Sequence, residues 1–127
     1  MSNCCMVFFK SGSSDLGSAE KHLVNYGFNV QNKSDHLEVE NNSKLVFKVF
    51  LVAESFVLEE AKEISSNTEY ASNMGQCDTR FEVIIDDLDI ALDEANSLME
   101  VQGALQDASQ GYLFTPWNGN IGEPWLG

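Results

Sequence analysis

The chain has 127 residues, 43% of them hydrophobic and 10% aromatic, and its 20 acidic residues against 7 lysines and arginines give a net charge of −13. This length and composition predict a single domain, 1–127, with its own core, and they exclude a disordered acidic tail. The charge argues against nucleic acid or an anionic membrane as a direct ligand, because binding phosphate groups requires basic side chains.

The N-terminus and the cysteines indicate a compartment. Residues 1–5 lack the basic start of a secretory signal, and no stretch approaches the ~18 consecutive apolar residues of a membrane span. Cys4, Cys5 and Cys77 are an odd number and form neither a disulfide framework nor a zinc-binding pattern. We therefore expect a cytoplasmic protein with no membrane contact, no bound metal and no cofactor.

The first half of the chain contains four predicted strands and one predicted helix. Cys4–Lys10 is a continuous apolar run typical of a strand covered on both faces. Asp15–Tyr26 has helical spacing of apolar residues and is followed by a glycine, which favours a helix end there. Three more strands are predicted at Phe28–Val30, His36–Glu40 and Lys44–Ala53, the last two joined by an Asn-rich hairpin turn.

The second half contains a predicted helix, a polar loop and then a strand–helix–strand unit. The helix is Glu54–Ser65, and the loop that follows it ends at Thr79. The unit consists of a strand at Arg80–Asp86, a helix at Asp87–Ala108 and a strand at Gly111–Trp117. Residues 118–127 are predicted to be an irregular tail. The resulting order is β-α-β-β-β-α-β-α-β. Hairpins give antiparallel pairs and helical crossovers give parallel ones, so we expect an α+β fold with a mixed, largely antiparallel sheet and about three helices packed mainly on one face.

Acidic side chains form a row along one side of the long predicted helix, and apolar residues, among them Leu92 and Met99, fall on the opposite side and are expected to face inward. Four of them recur every seven residues, a spacing that drifts only ~20° per step around a helix, and a fifth lies beside them. The five are Asp86, Asp89, Asp93, Glu100 and Asp107. No Lys or Arg follows Arg80, so the row has no basic partner in its own half of the chain. It is either a docking face for Lys and Arg of a partner protein or a solvated helix face.

Aromatic, basic and histidine side chains are the other site candidates in the sequence. Tyr112 and Trp117, at the last predicted strand, are candidates for an aromatic hot spot beside the acidic row, although such residues are also typical of a core or an edge strand. Arg80 precedes a buried-looking strand and is expected to form an internal ion pair. His22 and His36 have no catalytic neighbours in sequence, and the acidic residues lack the spacing and the glycine of a calcium loop. We therefore predict no catalytic residues and no enzymatic activity.

In size, acidity and single-domain character, the whole chain resembles bacterial immunity proteins such as those paired with contact-dependent growth-inhibition toxins. The resemblance implies an inhibitor that binds and occludes a basic, nuclease-type toxin, which the acidic row and an aromatic residue would contact. Two alternatives remain open: a nucleic-acid mimic that blocks a DNA- or RNA-binding protein, and an oligomeric structural domain with no charged partner. Monomer and homodimer are both compatible with the sequence.

Overall fold

A computed structural model describes residues 4–40, 46–86, 88–93 and 95–124. The strands in these ranges are β1 (Cys4–Phe9), β2 (Asn29–Asn32), β3 (His36–Glu40), β4 (Val46–Val52), β5 (Thr79–Ile85), β6 (Tyr112–Thr115) and β7 (Asn120–Gly122). The helices are α1 (Leu16–Asn25), α2 (Ser55–Ser65), α3 (Ala71–Met74), α4 (Leu88–Asp93) and α5 (Ala95–Ser109). Helices α4 and α5 occupy the span predicted as one helix and lie on either side of residue 94, which is outside the described residues.

The strands form one sheet in the order β2-β3-β4-β5-β1-β6-β7, and every neighbouring pair is antiparallel. The α+β class and the largely antiparallel sheet are therefore confirmed. Two of the three helical connections join strands of the same direction: α1 joins β1 to β2, and α4 with α5 joins β5 to β6. The third, α2 with α3, joins the antiparallel neighbours β4 and β5. Three strands separate β1 from β2, and β1 itself separates β5 from β6. The expected crossovers therefore produce no adjacent parallel pair within the described sheet.

Each face of the sheet has its own helix layer. Helices α1, α4 and α5 cover one face, where alternate side chains of the central strands, such as Val7, Val49 and Val83, are fully buried. Helices α2 and α3 cover part of the other face, over Met6 and Phe8. Strand β1 is thus covered on both sides, which explains its continuous apolar sequence. Three of the five described helices lie on the first face and two on the other.

Local differences from the sequence prediction have short-range and long-range causes. The N-cap of α1 is Asp15, the first residue of the predicted helix, whose carboxylate accepts a hydrogen bond from the Ser18 N–H at 2.8 Å. Helix α3 forms inside the stretch expected to be a loop. Strand β7 forms inside the tail expected to be irregular, and it pairs with β6. Because β7 covers it, β6 is an interior strand and not an edge.

The side of α4 and α5 that faces the core also differs from the prediction. Leu92 and Met99 were expected inward but are 44% and 65% exposed, and the side chains of Leu88 and Ala95 lie outside the described part of the structure. The buried stripe consists of Ala91, Leu98, Val101, Ala104, Leu105 and Ala108. This stripe follows helical i, i+3, i+4, i+7 spacing to the end of α5. The apolar residues in the second half of α5 therefore determine which side of this region is buried.

Candidate functional site

The five predicted acidic residues all lie on the exposed surface of the α4–α5 region. Asp86 precedes α4, Asp89 and Asp93 belong to α4, and Glu100 and Asp107 belong to α5; all five are exposed. Within α5 the two carboxylates are seven residues apart, which corresponds to ~10.5 Å along the helix axis. We refer to these five residues as the acidic ridge.

Cations do not neutralise the acidic ridge within the described part of the chain. The contacts closer than 4.0 Å between a basic nitrogen and a carboxylate in the described ranges are His36–Asp35, His36–Glu38, Arg80–Glu60 and Arg80–Glu82. None of them includes a ridge carboxylate. The contacts of His36 in β3 and those of Arg80 in β5 lie on or next to the sheet, away from α4 and α5. The ridge is therefore an exposed negative surface without a described counter-charge.

The buried positive charge of Arg80, in contrast to the ridge, is neutralised by two carboxylates of this chain. Its side chain is only 7% exposed and pairs with Glu60 of α2 and with Glu82 of β5. The guanidinium carbon also lies 5.5 Å and 5.2 Å from the ring centroids of Phe8 and Phe56, within the range of cation–π attraction. The predicted internal ion pair of Arg80 is thus confirmed. Its contact with Glu60 connects α2 to the sheet.

A hydrogen bond holds one ridge carboxylate in place. The Tyr26 hydroxyl, at the C-terminal end of α1, donates to Asp107 Oδ2 at 2.6 Å. This hydrogen bond raises the pKa of Tyr26 to about 12, with smaller contributions from burial and from the negative charges of Asp107 and Glu100. The Tyr26 ring lies against α5 at Gly103, where a Cβ added to the glycine would be 3.6 Å from the Tyr26 hydroxyl oxygen. Helix α1 is therefore connected to α5 alongside the ridge.

Exposed apolar side chains are concentrated in the same helix layer. Among the described residues, seven large hydrophobic side chains are exposed, and five of them belong to α4, α5 or the C-terminal end of α1. The five are Val24, Tyr26, Ile90, Leu92 and Met99. The helix layer thus combines the acidic ridge with most of the exposed apolar surface. Sequence reasoning missed this combination because it assigned Leu92 and Met99 to the core.

The two aromatic candidates lie on opposite faces of the sheet. Tyr112 faces the α2–α3 layer, where its ring centroid is 5.9 Å from that of Tyr70. Trp117 is partly buried against the core of the α1–α5 layer. Strands β5 and β6 both pair antiparallel with β1, so their C-terminal ends lie at the same edge of the sheet. Asp86 follows β5 and Trp117 follows β6, so the structure brings Trp117, but not Tyr112, to the side and end of the sheet where the ridge begins.

A separate cleft of about 270 Å³ lies where β1 ends, and its lining includes Lys10, Cys77, Ser109 and Tyr112. Burial raises the pKa of Cys77 to about 11, although the positive charge of Lys10 opposes this rise. The Cys77 thiol is therefore protonated at neutral pH and is not an activated nucleophile. Neither histidine lines the cleft.

The described ranges contain no arrangement typical of a metal site or a membrane span. Within them, no group of three or more His, Cys, Asp or Glu side chains is arranged to hold a metal ion. No helix in the same ranges combines the length and apolarity needed to cross a membrane. No protein-family model, curated protein or solved structure matches the chain.

Proposed function

We propose that this protein is a small acidic inhibitor that binds and occludes a basic partner protein through the acidic ridge, in the manner of bacterial immunity proteins that act on nuclease toxins in the cytoplasm. The observation that carries the proposal is the ridge itself: five exposed carboxylates with no described Lys, Arg or His nitrogen within 4.0 Å. A basic surface on a partner would supply the missing counter-charge.

The energetics of the ridge support a role in binding. Like charges at helical i,i+3 and i,i+4 spacing destabilise a helix by roughly 0.2–0.5 kcal/mol per pair. Asp107 also lies in the last turn of α5, where the helix dipole disfavours a negative charge. These costs reduce the stability of the free protein. Exposed charges of one sign in turn accelerate association with an oppositely charged partner and select against partners of the same sign.

The two alternative functions receive less support from the arrangement of the elements. A nucleic-acid mimic would need further acidic rows beside the ridge, because the two α5 carboxylates are ~10.5 Å apart along the helix axis, whereas the phosphates of one strand recur every ~3.4 Å along the duplex axis. The acidic residues of α2 do not extend the ridge, since α2 lies on the other face of the sheet. A homodimer through β6 is also disfavoured, because β7 occupies the outer side of that strand.

The proposal is tested with a charge reversal on the ridge and a matched reversal elsewhere. The test variant carries Asp93→Lys and Glu100→Lys, and the control carries Glu59→Lys and Glu63→Lys, which make the same change in net charge at exposed positions of α2. Each immobilised protein is used to capture partners from a lysate of the source organism. We expect the wild type and the α2 control to retain the same basic protein in a one-to-one ratio, and the ridge variant to lose it.

Association kinetics with the captured protein then test the mechanism. At low salt, we expect the ridge reversal to slow association by at least about tenfold, within the ~10–10³ range of electrostatic steering, and the difference to shrink as salt is added. Circular dichroism confirms that each variant is folded. Equal losses of binding in both variants, or an unchanged association rate in the ridge variant, would contradict the proposed function.

A further inference from the structure

An apolar patch adjoins the acidic ridge on the outer surface of α5. Met99 is 65% exposed, the largest exposed fraction among the described large hydrophobic side chains, and Tyr26 is 39% exposed. Residues 99 and 103 are one helical turn apart and share a side of α5, and the Tyr26 ring lies against Gly103. Met99 therefore lies one helical turn from the point where the Tyr26 ring meets α5, and Glu100 and Asp107 belong to the same helix.

This patch has the composition of the centre of a protein interface. Exposed apolar groups rimmed by charged residues typically mark sites of protein association, and the flexible, polarisable methionine side chain adapts to different partner surfaces. The hydrogen bond from Tyr26 to Asp107 holds the aromatic ring in one position before binding. A ring held in this way loses less side-chain entropy when a partner covers it.

The charges around the patch decide what can cover it. A second copy of this chain would place carboxylates opposite carboxylates, and each copy carries a net charge of −13, so self-association through this surface is disfavoured. Nucleic acid is disfavoured for the same reason. A basic partner is favoured by charge complementarity, and side chains seven residues apart on a partner helix would match the ~10.5 Å separation of the two α5 carboxylates.

We propose that Met99 and the ring of Tyr26 form the apolar centre of the docking face, and that the occupant is a helix of a basic protein with an apolar side chain between Lys or Arg residues seven positions apart. This inference rests on the proposed function and specifies the chemistry of its partner. In this arrangement the ridge carboxylates control the association rate, whereas the apolar centre controls the dissociation rate.

The inference is tested with two synthetic helical peptides that differ at one position. Both carry lysines seven residues apart; one has leucine between them and the other has alanine. Binding to the full chain is measured by calorimetry, and the methyl resonances of the methionines are followed by NMR. We expect the leucine peptide to bind about tenfold more tightly and to shift the Met99 methyl signal. The signal of Met74, which is fully buried under the opposite helix layer, serves as the unshifted reference.

Two variants separate the apolar centre from the charges. Met99→Ala is expected to abolish the preference for leucine over alanine, and folding is expected to be intact because the side chain is exposed. Tyr26→Phe keeps the ring and is expected to retain most of the preference. The double reversal Asp93→Lys with Glu100→Lys is expected to weaken binding of both peptides.

The possible outcomes distinguish the two proposals. If both peptides bind equally, with a strong salt dependence, and Met99→Ala has no effect, the apolar centre is refuted and the charged docking face stands. If neither peptide binds, or binding ignores the ridge reversal, both proposals fail. If the Met99 signal shifts with protein concentration in the absence of peptide, the occupant is a second copy of the chain, and the inference is overturned.

Discussion

The hydrogen bond between Tyr26 and Asp107 gives the most direct test of the geometry at the acidic ridge. It holds the pKa of Tyr26 at about 12, whereas an ordinary tyrosine titrates near ~10. Asp107→Asn removes the negative charge and the strong acceptor, so we expect the Tyr26 pKa to fall towards the ordinary value. The chain contains three tyrosines, and the contribution of Tyr26 is isolated by subtracting the ultraviolet titration of the Tyr26→Phe variant.

The same contact has a measurable effect on stability. Tyr26→Phe removes one hydrogen bond and keeps the ring on α5. A typical intramolecular hydrogen bond contributes ~0.5–1.5 kcal/mol, and because Tyr26 is 39% exposed we expect a loss near the lower limit, about 0.5 kcal/mol. Asp107→Asn alone is a poor measure, since it also relieves the unfavourable charge at the end of α5. A double-mutant cycle with both variants isolates the pairwise energy.

The sign of the pH dependence follows from the raised pKa. The folded state keeps Tyr26 neutral at pH values where the unfolded chain has already lost that proton. The stabilising contribution of the contact is therefore fully present below ~10 and is lost as the pH rises towards about 12. If Tyr26 titrates near ~10 in the wild type, and the cycle gives no coupling energy, the hydrogen bond does not form in solution. Tyr26 would then not be a pre-positioned element of the docking face.

Two further predictions concern the glycines at positions 103 and 111 and the cysteine in the cleft. Gly111→Ala should destabilise the protein by ~1–3 kcal/mol, because a Cβ would lie 2.7 Å from the Phe8 carbonyl oxygen. Gly103→Ala should instead stabilise α5 by ~0.5–1 kcal/mol, because a Cβ there would have no contact closer than 3.6 Å. Urea denaturation at equal m-values measures both, and a reversed order would contradict the packing. Cys77 should react far more slowly with a thiol reagent at neutral pH in the native protein than in urea, because its pKa is about 11; equal rates would refute its burial.

Much of the fold could be predicted from local sequence patterns. The continuous apolar run of β1 and the alternation in β3 led to the correct strands, and glycine and helical spacing placed α1 and α2 within a few residues. The order of the strands was beyond this reasoning, because insertion of β1 between β5 and β6 depends on contacts between residues 70 or more positions apart. Short elements such as α3 and β7 were missed because three or four residues carry too little periodicity to be recognised.

The candidate site was predicted in part. Exposure of the five ridge acids agreed with the expectation for charged residues on the polar side of an amphipathic helix. The hydrogen bond of Tyr26 to Asp107 was invisible, since the two residues are 81 positions apart. The exposure of Leu92 and Met99 could have been recognised from the sequence. On a helical-wheel projection that includes Val101, Ala104, Leu105 and Ala108, the apolar side of the helix points away from Leu92 and Met99.

The distribution of charge over the two faces of the sheet argues that the ridge is not an accident of composition. On one face, Arg80 lies between two carboxylates, and Lys48 is directly opposite Glu38 in the β3–β4 register. On the other face, the 15 residues of α5 include no Lys or Arg. A lysine at the exposed position 96 would lie four residues before Glu100 in α5, and would stabilise that helix by roughly 0.2–0.5 kcal/mol. The chain has asparagine there. Counter-charges are thus present where they stabilise the sheet and are missing from α5, where we propose that a basic partner supplies them.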